Sequence, residues 1–365
     1  MFDRSRQVLE QHSLDMRQFI DCRESRLSNG MRVLDVYNGS GLTFTLLPDR
    51  GLDIWTAHYG GHPLTWISPG SPHPPDHGSP WLRQFNGGLL TTCGLQHVGP
   101  PERDDATGEE RDVHGRFTRL AADVVRREGR WVGDEYVFEI AGRIVQSSLF
   151  GEQLLVERTY RVRLGEPAIE LEDVVTNVSD VATPFMLLYH INVGYPLVRE
   201  GARFDVAAAR TLPRDDAAEA GFETWADYPA AQREFAEQVF YHHVQQRGGW
   251  AKALLANGDL GLMVSWDTTH APYLSQWKNV RSGMYVCGIE PGNCVPEGQN
   301  AARRGGRLLE LDAGASHAFR TRFHIYKGAN EIEGARGDVA ELRRAGTSVS
   351  GFNWCRTELS RSSQQ

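Results

Sequence analysis

Along most of the chain, apolar and polar residues alternate with a period of two. Tyr160, Val162 and Leu164 are separated by Arg161 and Arg163, the pattern of a strand with one buried face. Leu42–Leu47, Tyr136–Val145, Leu260–Trp266, Met284–Ile289 and Phe319–Tyr326 read the same way. Turn signals separate these runs: Asn29-Gly30, Gly39-Ser40-Gly41 and Asn257-Gly258 suit hairpins. Helical periodicity is confined to Arg6–Phe19, Asp215–Phe240 and Asn330–Arg344. The Pro-rich stretch Pro69–Pro80 reads as a surface loop, and no internal repeat breaks the chain into units. The expectation is an all-β protein with a large, mostly antiparallel architecture and a few short helices. One domain is expected over 26–355, with an N-terminal extension over 1–25 and a frayed tail over 356–365.

The segment Phe185–Pro196 is the most informative strand. Side chains alternate across it, so Phe185, Leu187, Tyr189 and Ile191 share one face and Met186, Leu188, His190 and Asn192 the other. A hundred residues later, GIEPGNCVPEG places Glu290 near a strand end beside Pro291 and Gly292. Histidine titrates near neutral pH and serves as acid or base. A carboxylate running into a buried strand must be paired or held protonated, conditions common where protons are moved. Each residue also has a plain structural reading: His190 as a core histidine bonded to a carbonyl, Glu290 as a turn-capping carboxylate.

Composition narrows the field. The 365 residues are 40% hydrophobic and 24% charged, as globular chains are. The formal net charge is -8 without a basic block, which argues against a nucleic-acid surface. Cys22, Cys93, Cys287, Cys294 and Cys355 form an odd, scattered set with no CxxC pair, so neither a disulfide framework nor a zinc knuckle is expected. The charged start MFDRSRQVLEQHSLDMRQF lacks the apolar core of a signal peptide, and no apolar run approaches the roughly 20 residues of a membrane helix. A cytoplasmic, membrane-free protein is expected. Phosphate-binding glycine loops and the Gly-x-Ser-x-Gly elbow are absent.

The order of motifs resembles that of galactose mutarotase-like proteins, the aldose 1-epimerases. Val175-Thr176-Asn177, the Thr183-Pro184 turn and the apolar strand carrying His190 are similar to the segment that holds the family's catalytic histidine. Glu290, followed by Pro291 and Pro296, resembles its glutamate. His114-Gly115 resembles its earlier His-Gly motif, and PYLSQW, with Gln276 and Trp277, its P-x-L-Q stretch. The landmarks run in order from about residue 25 onward. The resemblance implies a β-supersandwich and anomerisation of a free sugar, with His190, Glu290 and His114 catalytic. Gln276 and Trp277 would then contact substrate, with Asn192 and His242 beside them and Trp66 and Trp81 as further walls; PDRGLDI and CGLQHVGPP look unlike the better-known enzymes, and supply Arg50, Asp53 and His97 as further hydroxyl partners. One departure stands out. Where galactose mutarotases carry an aspartate before a histidine, this chain reads Phe240-Tyr241-His242-His243, which argues against galactose-like recognition.

Arg50 and Asp53 are equally readable as a mutual structural bridge. A metal-dependent sugar isomerase using His97, His114, His190 and Glu290 is a competing reading, although no tightly spaced histidine pair supports it. A carbohydrate-binding protein without activity is another. The leading expectation needs no cofactor and no metal. Its partners are a small carbohydrate and, at most, a second copy of the chain, with neither nucleic acid nor membrane.

Overall fold

A computed structural model of the chain describes residues 3–105 and 107–349. Strands make up 48% of it and helices 14%, so the all-β expectation holds. Three antiparallel sheets carry the architecture. The first joins Asp21–Arg26, Arg32–Tyr37, Leu42–Leu47, Asp53–Tyr59 and His62–Pro63 in chain order. An eight-stranded sheet runs in the spatial order Arg203–Val206, Trp250–Ala256, Leu260–Asp267, Ser316–Lys327, Ala168–Asn177, Gln153–Arg163, Glu135–Ser147, Asp123–Val132. The third, hereafter the site sheet, orders Ala208–Pro213, Gln238–Gln246, Tyr273–Arg281, Met284–Gly292, Thr183–Val193 and Leu309–Leu311, with Thr91–Leu95 and Thr347–Ser348 paired onto it.

One large apolar cluster is shared by all three sheets. The inward face of Thr183–Val193 supplies Phe185, Leu187, Tyr189 and Ile191 to it, while Met186 and Leu188 join a separate cluster on the other face. The period-two reading of this strand therefore holds residue by residue. The expected hairpin turns also fall between observed strands, and Gly30 takes the left-handed φ of +87° that its turn needs.

Helices depart more from expectation. The C-terminal helix spans Ala329–Ala345 and buries Ile332, Ala335, Val339 and Leu342 at helical spacing. At the N-terminus the expected single helix is split into Arg6–His12 and a short turn Met16–Gln18, because Asp15 caps the second piece by accepting from Arg17 N. Over 215–240 only Asp216–Ala220 and Phe222–Thr224 are helical, and from Gln238 the chain is already a strand. There the aromatic and β-branched run Val239–Val244 finds sheet partners on both sides, and pairing overrides local periodicity. A helix at Gln299–Arg304 was not anticipated.

The stretch read as an N-terminal extension contributes the edge strand Asp21–Arg26 and the core side chains Ile20 and Cys22. The expected tail lies outside the described residues, as does Cys355. The four described cysteines are free and buried. No described helix is long and apolar enough to cross a membrane.

Candidate active site

Strand register brings the two predicted residues together. Thr183–Val193 pairs with Met284–Gly292 so that Leu188 faces Gly292 and Ile191 faces Ile289, which sets His190 opposite Glu290. His190 Nε2 lies 3.3 Å from Glu290 Oε1. The two atoms are close but not aligned as a hydrogen bond: Glu290 Oε1 and His190 Nδ1 are both buried without a hydrogen-bond partner among the described residues. Glu290 reaches this position because position 288 has no side chain. A Cβ at Gly288 would stand 2.8 Å from Glu290 Oε1 and equally close to Trp277 Cβ.

Burial sets the electrostatics. His190 is 6% and Glu290 3% exposed. Loss of solvent pushes the Glu290 carboxyl up to about 8; the nearby Glu237 charge adds to this and Arg214 opposes it. Burial pulls His190 down to about 4, with the Asn192 amide partly offsetting it. At neutral pH the pair therefore rests as a protonated carboxyl beside a neutral imidazole.

Aromatic rings enclose the pair. His190 meets Phe85 and Trp277 edge to face, with centroids 5.3 and 5.5 Å away. Trp66 packs on both Phe85 and Trp277. Trp81 stacks on Phe85 at 4.5 Å and touches His114 at 4.9 Å. Trp66, Phe85, His114 and Trp277 are half-buried, so the pair lies one layer of side chains below the surface. Trp277 Nε1 donates to Glu237 Oε2 at 2.8 Å, and Arg214 joins Glu237 to Asp215.

His114 also joins the pair. Its ring centroid is 6.0 Å from that of His190, and its Nδ1 is buried without a hydrogen-bond partner among the described residues. Burial first, and then the neighbouring His190, hold its pKa well below the usual histidine range. Asn192 lies on the same strand face, donating to Gly88 O and His190 O while its Oδ1 has no hydrogen-bond partner among the described residues. On the neighbouring strand Ser275 is paired with Glu290, and its buried Oγ also lacks a hydrogen-bond partner among the described residues. These converging unpartnered atoms suit a ligand that both donates and accepts.

Four expected substrate contacts tie into the scaffold instead, and a fifth, His97, lies away from the pair. Arg50 is fully buried and donates to three carbonyls, those of Thr118, His73 (2.5 Å) and Gln84 (2.9 Å), tying loops together. Asp53 pairs not with Arg50 but with Arg158 at 2.7 Å, and accepts from Thr92. Arg158 also binds Asp173, whose Oδ2 accepts from Tyr189. His242 and Gln276 bond to each other at 3.1 Å, and Gln276 continues to Trp225 O. Both point away from the pair, because Gln276 is paired with Ile289, one register step from Glu290. His97 packs among loops, with Nε2 at 2.8 Å from Pro100 O and Nδ1 beside Glu102. Among the described residues, no group of three or more His, Cys, Asp or Glu is placed to hold a metal ion.

Phe85, Ser275, Gly288 and Glu237 went unnoticed in the sequence. Ser275 was within reach: it lies two residues before Trp277 and so on the same face. The others depend on cross-strand register and loop position, which composition does not reveal.

A family described as a domain of unknown function, DUF4432, matches residues 28–325. The chain belongs to this family. Its fold is that of galactose mutarotase-like proteins. A candidate aldose 1-epimerase from Klebsiella pneumoniae superposes on this DUF4432 protein with a TM-score of 0.81 at 26% identity, over 89% of this chain and 88% of that one. A galactose mutarotase-like protein from Clostridium acetobutylicum gives 0.59 at 12% identity, over 85% and 99%. A galactose 1-epimerase from Lactobacillus acidophilus gives 0.54 at 14%, over 85% and 99%. At these last identities the likeness is one of fold. No curated protein matches the chain in sequence.

Proposed function

We propose that this DUF4432 protein is an isomerase of the aldose 1-epimerase type, opening and closing the ring of a free monosaccharide or sugar derivative. The observation that carries this reading is the 3.3 Å approach of His190 Nε2 to Glu290 Oε1, with the carboxyl pushed up and the imidazole pulled down. Mutarotation needs one acid and one base at once. One partner removes the anomeric hydroxyl proton while the other protonates the ring oxygen; the C1–O5 bond breaks and an aldehyde forms. Rotation about C1–C2 presents the other carbonyl face. Ring closure then reverses both proton transfers and restores the starting state.

The family resemblance implies Glu290 as the base that takes the anomeric proton and His190 as the acid at the ring oxygen. Burial makes the carboxyl the resting acid and the imidazole the resting base. One proton transfer within the pair exchanges the roles, so a single bound proton suffices for both halves of the cycle. Acid–base assistance of this kind contributes roughly 10²–10⁴-fold. His114 Nδ1, Asn192 Oδ1 and Ser275 Oγ would bind sugar hydroxyls, and Trp66 and Trp277 would cover the apolar faces of the ring. Magnetisation exchange between α and β anomers, measured by NMR across a panel of free aldoses, tests the reading. Catalysed exchange of at least one sugar supports it, and rates equal to buffer throughout refute it.

A further inference from the structure

A cavity with a mixed polar and apolar lining lies beside Trp81 and His114. Its volume is about 380 Å³, within the size range of small-molecule sites, and neither His190 nor Glu290 lines it. The boundary between the two regions is Trp81 and His114. Their chain neighbours Pro80 and Gly115 line the cavity, while Trp81 and His114 themselves face each other and the aromatic cluster.

The lining has a definite chemistry. Arg119 is 5% exposed, lines the cavity, and has a buried Nε without an acceptor among the described residues. Its other end is matched by Asp112. Arg116 is matched by Glu152 at 2.7 Å and Arg111 by Glu102 at 3.0 Å. Each guanidinium thus already has its carboxylate, and Asp112 also faces the space. An added anion would find its counter-charges taken and a carboxylate beside it. The Gln96 side chain, half-buried at the rim, makes no hydrogen bond among the described residues. Paired charges with spare donors and acceptors suit hydroxyl groups, which give and take hydrogen bonds without bringing charge.

We infer that this cavity is a second binding site for a neutral polyhydroxylated ligand, of mono- or disaccharide size, separate from the His190–Glu290 centre. It binds whether or not the pair is catalytic, so its failure and that of the proposed reaction are distinguishable.

The test is titration of glucose, galactose and maltose, with inorganic phosphate as the anionic probe. Each is titrated into wild type, Gln96→Ala, Arg116→Ala and Glu290→Gln. Gln96 and the half-exposed Arg116 are chosen because neither is a core side chain. For at least one sugar we expect saturable binding that weakens about tenfold or more in both cavity variants and persists in Glu290→Gln. If Arg116→Ala lowers the thermal midpoint, Gln96→Ala decides. Sugar binding that is absent, unaffected by Gln96→Ala, or abolished by Glu290→Gln overturns the site. Tighter binding of phosphate than of every sugar overturns the polyol assignment.

Discussion

Glu290 folds back over Gly288, close enough that a Cβ at position 288 would stand 2.8 Å from Glu290 Oε1. Such a contact is shorter than packed atoms tolerate, so the carboxyl would have to move. Gly288→Ala should therefore lower anomer exchange by about tenfold or more while destabilising the fold by only ~1–3 kcal/mol. Exchange rates and urea unfolding of the same preparation check both numbers. The substitution leaves both proton-carrying groups chemically intact, so it tests their position rather than their identity.

The pH profile follows from the direction of the two shifts. His190 is pulled down to about 4 and Glu290 pushed up to about 8. Below the lower value both partners carry a proton and no base remains. Above the upper value both have lost it and no acid remains. A bell-shaped kcat/KM with limbs near those values is expected, belonging to the pair rather than to either residue. Glu290→Gln should abolish the alkaline limb.

Trp277 sits edge-on to His190 and is held by Glu237. In the proposed reaction its half-buried ring would cover a sugar face. Trp277→Ala should raise KM about tenfold with a smaller change in kcat, as removal of ground-state contact does. Glu237→Gln keeps a hydrogen-bond acceptor for the indole but removes a charge that helps push Glu290 up. Its alkaline limb should move to lower pH.

Arg50 offers the opposite test. Its fully buried guanidinium binds three carbonyls from separate loops. Arg50→Ala should cost roughly 3–5 kcal/mol in denaturant unfolding, yet leave KM of the folded fraction within about twofold. A raised KM with unchanged stability would return Arg50 to the substrate site.

Much of the architecture was legible because strands with one buried face alternate visibly. Phe185, Leu187, Tyr189 and Ile191 fall on the core side as read. So did the pairing of His190 with Glu290, which resemblance supplied and register explains. Arg50, Asp53, His242 and Gln276 misled because polar residues at buried positions look alike in sequence whether they meet a ligand or one another. Asp53 finds Arg158 across 105 positions, a partnership fixed by sheet packing rather than by any local pattern. Helical periodicity over 215–240 failed for a related reason: only Asp216–Ala220 and Phe222–Thr224 are helical, and from Gln238 the chain pairs into the site sheet between two strands.

In the proposed reaction a carboxyl and an imidazole on adjacent strands share one working proton. Anomer-exchange NMR on Glu290→Gln and His190→Asn tests it most directly. Each substitution should reduce catalysed exchange about 100-fold or more while the unfolding midpoint stays near that of wild type. Exchange at wild-type rates in either folded variant would contradict the account.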